Sequence, residues 1–156
     1  KYLPQVIALF APFVNSYRRL VRFNAAPINV QWGYDNRTCG IRVPYSKPEA
    51  RRIENRLPGV DCNPYIALAA TLACAYLGLT EKCQPSEPQT GDAYGLPFAF
   101  ARGLDEAIGL LRQCTPVASV LGERFVSAFC AVKEAEYVEY ARVISPWERR
   151  YLLLHV

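Results

Sequence analysis

The pair Asn63-Pro64, followed by the unbroken apolar run YIALAATLACAYL, constrains this chain more than any other stretch. Asparagine accepts hydrogen bonds from the free amides at a helix start, and proline at the first helical position forfeits none. The predicted helix runs from Pro64 towards Gly78, which can stop it by adopting a left-handed conformation. Because it is apolar nearly all round, it is expected to lie buried under a sheet or between other helices. It is too short to cross a bilayer, which needs about 20 residues. The opening KYLPQVIALFAPFV is also apolar, but Pro4 and Pro12 interrupt it and no small-residue cleavage site is evident. A soluble protein with no membrane partner is the expectation.

Residues 27–57 read differently. Short β-compatible runs (INVQWGY, RTCGIRV, RRIENRL) alternate with Asp-Asn, Pro-Tyr-Ser and Pro-Gly punctuation. In RRIENRL a period of two places Arg52, Glu54 and Arg56 on one face of a strand. Residues 80–97 are rich in Pro, Ser and Gly and read as a long exposed loop. Beyond it, helices are predicted over about Leu104–Gln113 and Leu121–Arg142, the second with an apolar stripe of Leu121, Phe125, Phe129 and Val132. A last helix starts at Ser145, which with Glu148 makes a capping box ahead of an apolar end. The fold class is therefore α+β, a mainly antiparallel sheet in the first half packed with helices from the second. At 156 residues and 51% hydrophobic composition one domain is expected.

The charge is informative in its kind. The net +4 comes largely from arginine gathered between Arg18 and Arg56. A guanidinium grips carboxylate and phosphate oxygens two at a time, and a polyanion-binding patch would carry more lysine. A compact anionic ligand is expected, and no nucleic acid. The six cysteines have neither C-x-x-C pairing nor neighbouring histidines, so they read as reduced thiols of a cytoplasmic protein rather than a zinc site. His155, the only histidine, is expected at the surface.

Several guanidinium groups on one sheet face repel one another unless an anion neutralises them. Glu54 has two readings on these grounds, an ion-pair partner for the arginines around it or a metal-ligating carboxylate beside a transferred phosphate. Arg37 and Arg42 differ in strand parity. A bulge near Gly40 or a turn is needed to bring both to one ligand.

Taken in order, NSYRRL, then Pro27, W-G-x-D-N-R-T with Arg42 beyond it, RRIE-x-R, D-x-NPY, and the ending LGERFVSAFCAVKEAE…ISPWERRYLL resemble the glutamine synthetase family over nearly the whole chain. The resemblance implies an ATP-dependent ligase that moves the ATP γ-phosphoryl to the side-chain carboxylate of glutamate, giving an acyl phosphate that an amine attacks. It implies a catalytic and substrate-holding role for Arg19, a catalytic and nucleotide-phosphate role for Arg37, and nucleotide contacts for Arg42 and Arg52. Arg56 would contact the glutamate carboxylate, and Glu54 would ligate Mg2+ or Mn2+. It further implies a homo-oligomer with active sites between subunits. Residues 1–156 would form the carboxy-terminal portion of the catalytic domain, without the amino-terminal β-grasp domain and first part of the catalytic domain. Such a chain alone is expected neither to hold metal tightly nor to turn over.

Departures from the family pattern are equally specific. In ammonia-using members the loop after the first motif carries a glutamate that attracts ammonium, whereas here VRFNAAP puts Ala25 in its place. A methyl group cannot bind a small cation or take its proton. The acceptor is therefore expected to be a larger amine, a polyamine or monoamine, as in the γ-glutamylpolyamine synthetase branch. The alternatives are an ammonia-dependent glutamine synthetase and a non-catalytic homologue. Glu49 stands where bacterial members have a lysine near the nucleotide. Tyr94 lies near a loop tyrosine that some bacterial members adenylylate, but its flanks differ and it is read as an ordinary loop aromatic.

Overall fold

The structure is a computed structural model that describes residues 1–155. Its elements are helix α1 (Ile7–Phe10), strands β1 (Trp32–Tyr34), β2 (Ile41–Val43) and β3 (Glu54–Asn55), then helices α2 (Pro64–Thr80), α3 (Leu104–Gln113), α4 (Thr115–Leu121), α5 (Glu123–Ala141) and α6 (Pro146–Tyr151). The α+β class holds. The sheet is smaller than expected and mixed rather than mainly antiparallel: β2 lies in the middle, antiparallel to β3 but parallel to β1.

Parallel neighbours normally need a crossover of a dozen or more residues. Here residues 35–40 suffice, because side chains fix the turn. Asn36 Nδ2 donates to the carbonyls of Gln89 (3.0 Å) and Gly91 (2.9 Å), while its Oδ1 accepts from the Thr38 amide and hydroxyl. Thr38 Oγ1 in turn accepts from the Ala93 amide at 2.9 Å. The W-G-x-D-N-R-T motif thus sews the turn to the long loop. Gly33 is required by this approach, since a Cβ there would stand 2.5 Å from the Gln89 carbonyl oxygen.

The apolar opening segment supplies the centre of the core. Val6 to Ala11 are all buried, and α1 packs on α2 and α3. Helix α2 begins as the sequence dictates, with Asn63 Oδ1 accepting from the Tyr65 and Ile66 amides. It does not stop at Gly78. The helix continues to Thr80, and Lys82 takes the left-handed position (φ 53°). The Cys83 amide bonds the Gly78 carbonyl and the Lys82 amide that of Leu79, so two closing bonds outweigh the strain of a non-glycine residue there. Nor is α2 buried all round. Ala67, Ala70, Ala73 and Leu77 face the core, whereas Tyr65, Leu68, Leu72, Tyr76 and Leu79 are exposed.

Helix α3 has the predicted bounds. The next predicted helix is two, α4 and α5, broken at Gly122, whose φ of 96° suits glycine. The break also rotates the stripe. Val126, Cys130 and Lys133 are the buried positions of α5, while Phe125 and Val132 are exposed. At the end, Ser145 Oγ accepts from the Glu148 amide and Glu148 from the Ser145 amide, the expected capping box. His155 is exposed. No single helix among the described residues is long and apolar enough to cross a membrane.

All six cysteines are free thiols. Burial pushes the Cys74 thiol up to about 11, and it raises Cys39 and Cys130 as well, so these are poor nucleophiles near neutrality. Native-state alkylation at pH 7.5, followed by peptide mapping, should therefore modify exposed Cys83 first and leave Cys39, Cys74 and Cys130 largely unreacted until denaturant is added. Replacing the helix cap, Asn63→Ala, should lower stability by about 1 kcal/mol, read as a shifted denaturation midpoint at unchanged slope.

Candidate active site

The sheet carries the predicted arginines on one face. Register places Arg42 opposite Glu54, and the Arg56 amide donates to the Gly40 carbonyl at 2.9 Å, so the pairing extends one step past β3. Alternation then sets Ile41, Ile53 and Asn55 on the other face, where they line an apolar pocket with Tyr2, Thr71 and Cys74. The two-sided strand read from RRIENRL is present, though only Glu54 and Asn55 are paired as a strand proper.

Arg42 is the hub. Its guanidinium reaches Asp35 in the β1–β2 turn and Glu54 on β3, the latter at 2.8 Å. The Asp35 and then the Glu54 hydrogen bonds raise it above its ordinary value. Arg52 approaches the other Glu54 oxygen at 3.6 Å. Glu54 therefore balances Arg42 and Arg52, not the flanking pair Arg52 and Arg56. Arg42 Nε remains buried without a hydrogen-bond partner. Arg37 lies exposed in the turn between β1 and β2, so the parity difficulty is met by a turn and not by a bulge. It makes no ion pair among the described residues.

A second cluster forms where the first motif meets D-x-NPY. Residues Val14–Arg18 make a 3-10 turn that places half-buried Arg19 beneath the loop 20–26. The Arg19 guanidinium donates to the Leu57 carbonyl. Burial lowers its proton affinity, and the nearby Asp61 carboxylate opposes that. Asp61 is itself fixed by the Ser16 hydroxyl, which donates to it at 2.6 Å, while the Phe13 amide donates to the same hydroxyl. Arg56 stands close enough for its charge to act on Arg19. It donates to the Ala25 carbonyl at 3.0 Å and leaves Nη1 buried and unpartnered. Buried guanidinium nitrogens without acceptors are costly. An anion with two oxygens, such as a carboxylate, would satisfy them.

Sequence reasoning missed Asp35, Ser16 and Asp61, which hold the arginines. Their signal was adjacency within the same motifs, but what each carboxylate faces depends on the turn. Also missed was a groove of about 450 Å3 lined by Tyr34, Tyr45 and Arg51, where the two tyrosine rings stack 6.1 Å apart. Tyr94, read as an ordinary loop aromatic, is a buried residue whose ring meets Phe23 at 5.3 Å.

A metal does not fit the described residues by themselves. Both Glu54 oxygens face guanidinium groups, and no cluster of three or more His, Cys, Asp or Glu side chains is present among them. Divalent magnesium or calcium sites require several oxygen ligands. Of the two readings open for Glu54, the ion pair is the one this geometry realises.

The result is a small α+β domain whose sheet carries Arg42 on its middle strand, with Arg37 in the turn before it and Arg52 and Arg56 on either side of β3. The chain belongs to the glutamine synthetase catalytic-domain family, whose profile matches residues 1–152. It is 35% identical over 153 residues to a glutamate–isopropylamine ligase of a Pseudomonas species, covering 95% of this chain and 33% of that protein. It is 36% identical over 143 residues to the γ-glutamylethanolamide synthetase GlnA4 of Streptomyces coelicolor, covering 91% and 31%. A glutamine synthetase of Methanosarcina mazei is 35% identical over 162 residues, with 97% and 36% covered. The solved structure of GmaS without ligand superposes with a TM-score of 0.83 at 33% identity, over 96% of this chain and 35% of that one. GmaS has also been solved as an ADP complex, to which this chain is 30% identical. The chain spans about a third of the length of these relatives.

The Ser16–Asp61 hydrogen bond should be what positions Arg19. Ser16→Ala should leave the Asp61 charge unsupported and cost about 1–2 kcal/mol, and Asp61→Asn should cost less, since an amide oxygen can still accept. Comparing denaturation midpoints of the two variants tests the ranking.

Proposed function

We propose that this chain forms part of a ligase that joins the side-chain carboxylate of glutamate to an amine at the expense of ATP. In this reading the γ-phosphoryl passes to the glutamate carboxylate, ADP leaves, and the amine nitrogen attacks the acyl phosphate, expelling phosphate and losing a proton. The observation that carries the reading is the pair Arg19 and Arg56 beside Ala25. Arg56 holds the Ala25 carbonyl and keeps an unpartnered nitrogen, so a guanidinium able to take a carboxylate and a loop without a carboxylate lie together.

The residue roles follow from this placement. Arg56, assisted by Arg19, takes the glutamate carboxylates. Arg42, Arg52 and exposed Arg37 serve the nucleotide phosphates, and the stacked Tyr34–Tyr45 pair beside Arg51 offers a flat surface for its base. Glu54 and Asp35 keep Arg42 aimed while the site is empty of phosphate. The acceptor is a polyamine or monoamine rather than ammonia, because the methyl of Ala25 offers ammonium neither charge nor a base. The relatives named for isopropylamine and ethanolamide support an amine acceptor. A cytosolic homo-oligomer completes the proposal, in keeping with six free thiols.

Phosphate release by the full-length protein with ATP, Mg2+ and glutamate tests it directly. Turnover should rise with an organic amine and not with ammonium. Ammonium as the best acceptor would make this an ammonia-dependent glutamine synthetase, and no stimulation by any amine would favour a non-catalytic homologue. Arg56→Lys should raise the KM for glutamate about tenfold or more, since one two-pronged charged contact contributes about 1.5–3 kcal/mol and an ammonium cannot replace its geometry.

A further inference from the structure

The hydrogen bonds that close the β1–β2 crossover fall on the two residues flanking Arg37. Asn36 makes all four bonds that an amide side chain can make, donating to the Gln89 (3.0 Å) and Gly91 (2.9 Å) carbonyls and accepting from the Thr38 amide (3.0 Å) and hydroxyl (2.7 Å). Thr38 Oγ1 accepts in turn from the Ala93 amide. The strand before the turn is tied to the same loop, since the Gln89 amide donates to the Trp32 carbonyl at 2.7 Å and Trp32 Nε1 to the Ser86 carbonyl at 2.8 Å. Asp35 is fixed as well. It takes a left-handed conformation (φ 47°), its amide donates to the Val43 carbonyl and its carboxylate pairs with Arg42.

The site arginines differ in what aims them. Arg42 and Arg52 are held at the guanidinium by carboxylates, and Arg19 and Arg56 by the carbonyls of Leu57 and Ala25. Arg37 is exposed and its guanidinium has no such partner among the described residues. Its aim therefore comes from the main chain beneath it. A side chain that grips a phosphate gives up rotamer freedom, and a loose backbone under it would have to be ordered at the same time. A clamp on residues 36 and 38 does that ordering before any ligand arrives.

We infer that Asn36 and Thr38 are positioning residues for the nucleotide and act through Arg37, the loop 86–93 holding the main chain under that arginine so that its guanidinium meets the phosphates already placed. The inference rests on the phosphate role given to Arg37 above and adds the residues that set its aim. It also gives the long loop a task in ATP binding.

The test is a double-mutant cycle on the full-length protein, reading the Kd of Mg-ATP by titration calorimetry without glutamate, so that binding is measured with no turnover. Asn36→Ala adds no charge near the phosphates and should weaken Mg-ATP about tenfold, which is what ordering one backbone residue costs. Arg37→Ala should weaken it about tenfold or more, as expected for loss of a charged hydrogen bond. Adding Asn36→Ala to Arg37→Ala should then change Kd by no more than about twofold, because a residue that acts through Arg37 has nothing left to aim. The KM for glutamate in Asn36→Ala should stay within about twofold, since Arg19 and Arg56 are held by other groups. Should Asn36→Ala not fold, Thr38→Val keeps the shape of the side chain, removes the acceptor for the Ala93 amide and enters the same cycle. An undiminished effect of the clamp variant in the Arg37→Ala background overturns the inference and leaves the ligase reading intact. So does a clamp variant that binds Mg-ATP normally, or one whose KM for glutamate rises in step with its Kd. If Arg37→Ala itself leaves Mg-ATP binding unchanged, the phosphate role of Arg37 falls and the inference with it.

Discussion

The arrangement depends on charge balance around Arg42. One guanidinium is shared by Asp35 from a turn and Glu54 from the neighbouring strand, and that sharing joins three strands too short to hold a sheet by backbone bonds alone. Removing either acid would leave a half-buried arginine short of a partner, which costs more than the pair itself contributes. The same charges are the ones the proposed phosphate contacts would draw on. Arginines balanced just enough to fold are still available to a stronger, multidentate anion.

A second balance governs Arg19, and it has a different character. Ser16, Asp61 and the Leu57 carbonyl hold that side chain from two segments far apart in sequence. The 3-10 turn that carries Ser16 is in turn anchored by Phe13, over whose ring the Lys133 ammonium of α5 lies at 4.2 Å. Lys133 is among the few buried charged residues, and it pairs with Glu136 at 2.8 Å. Helix α5 thus backs the segment that carries Ser16, and its Phe129 and Lys133 line a pocket together with Phe13 and Asp61. Rigid supports of this kind keep arginine forks within the narrow geometry that two-oxygen recognition needs.

Much of the local structure was legible. Asn63-Pro64, Ser145 with Glu148, and the bounds of α3 follow from capping chemistry and helical period, which operate over a few neighbouring residues. The misreadings fall where distant segments decide. Gly78 resembled a stop, yet the closing bonds from Lys82 and Cys83 carried α2 past it. The stripe Leu121–Val132 assumed one helix, and a single positive φ at Gly122 turned the next helix so that Val126, Cys130 and Lys133 face inwards. The parallel pairing of β1 with β2 was not legible, because its short turn relies on loop carbonyls from Gln89 and Gly91.

The sequence by itself determined the family, the set of arginines and the missing loop carboxylate at Ala25, because motif order and residue chemistry do not depend on where side chains point. Only the tertiary structure decided what each charge faces. Glu54 turned to Arg42, Asp61 to Ser16, and Phe23 to solvent, since hydrogen bonds and burial act between residues that the chain brings together from far apart in sequence.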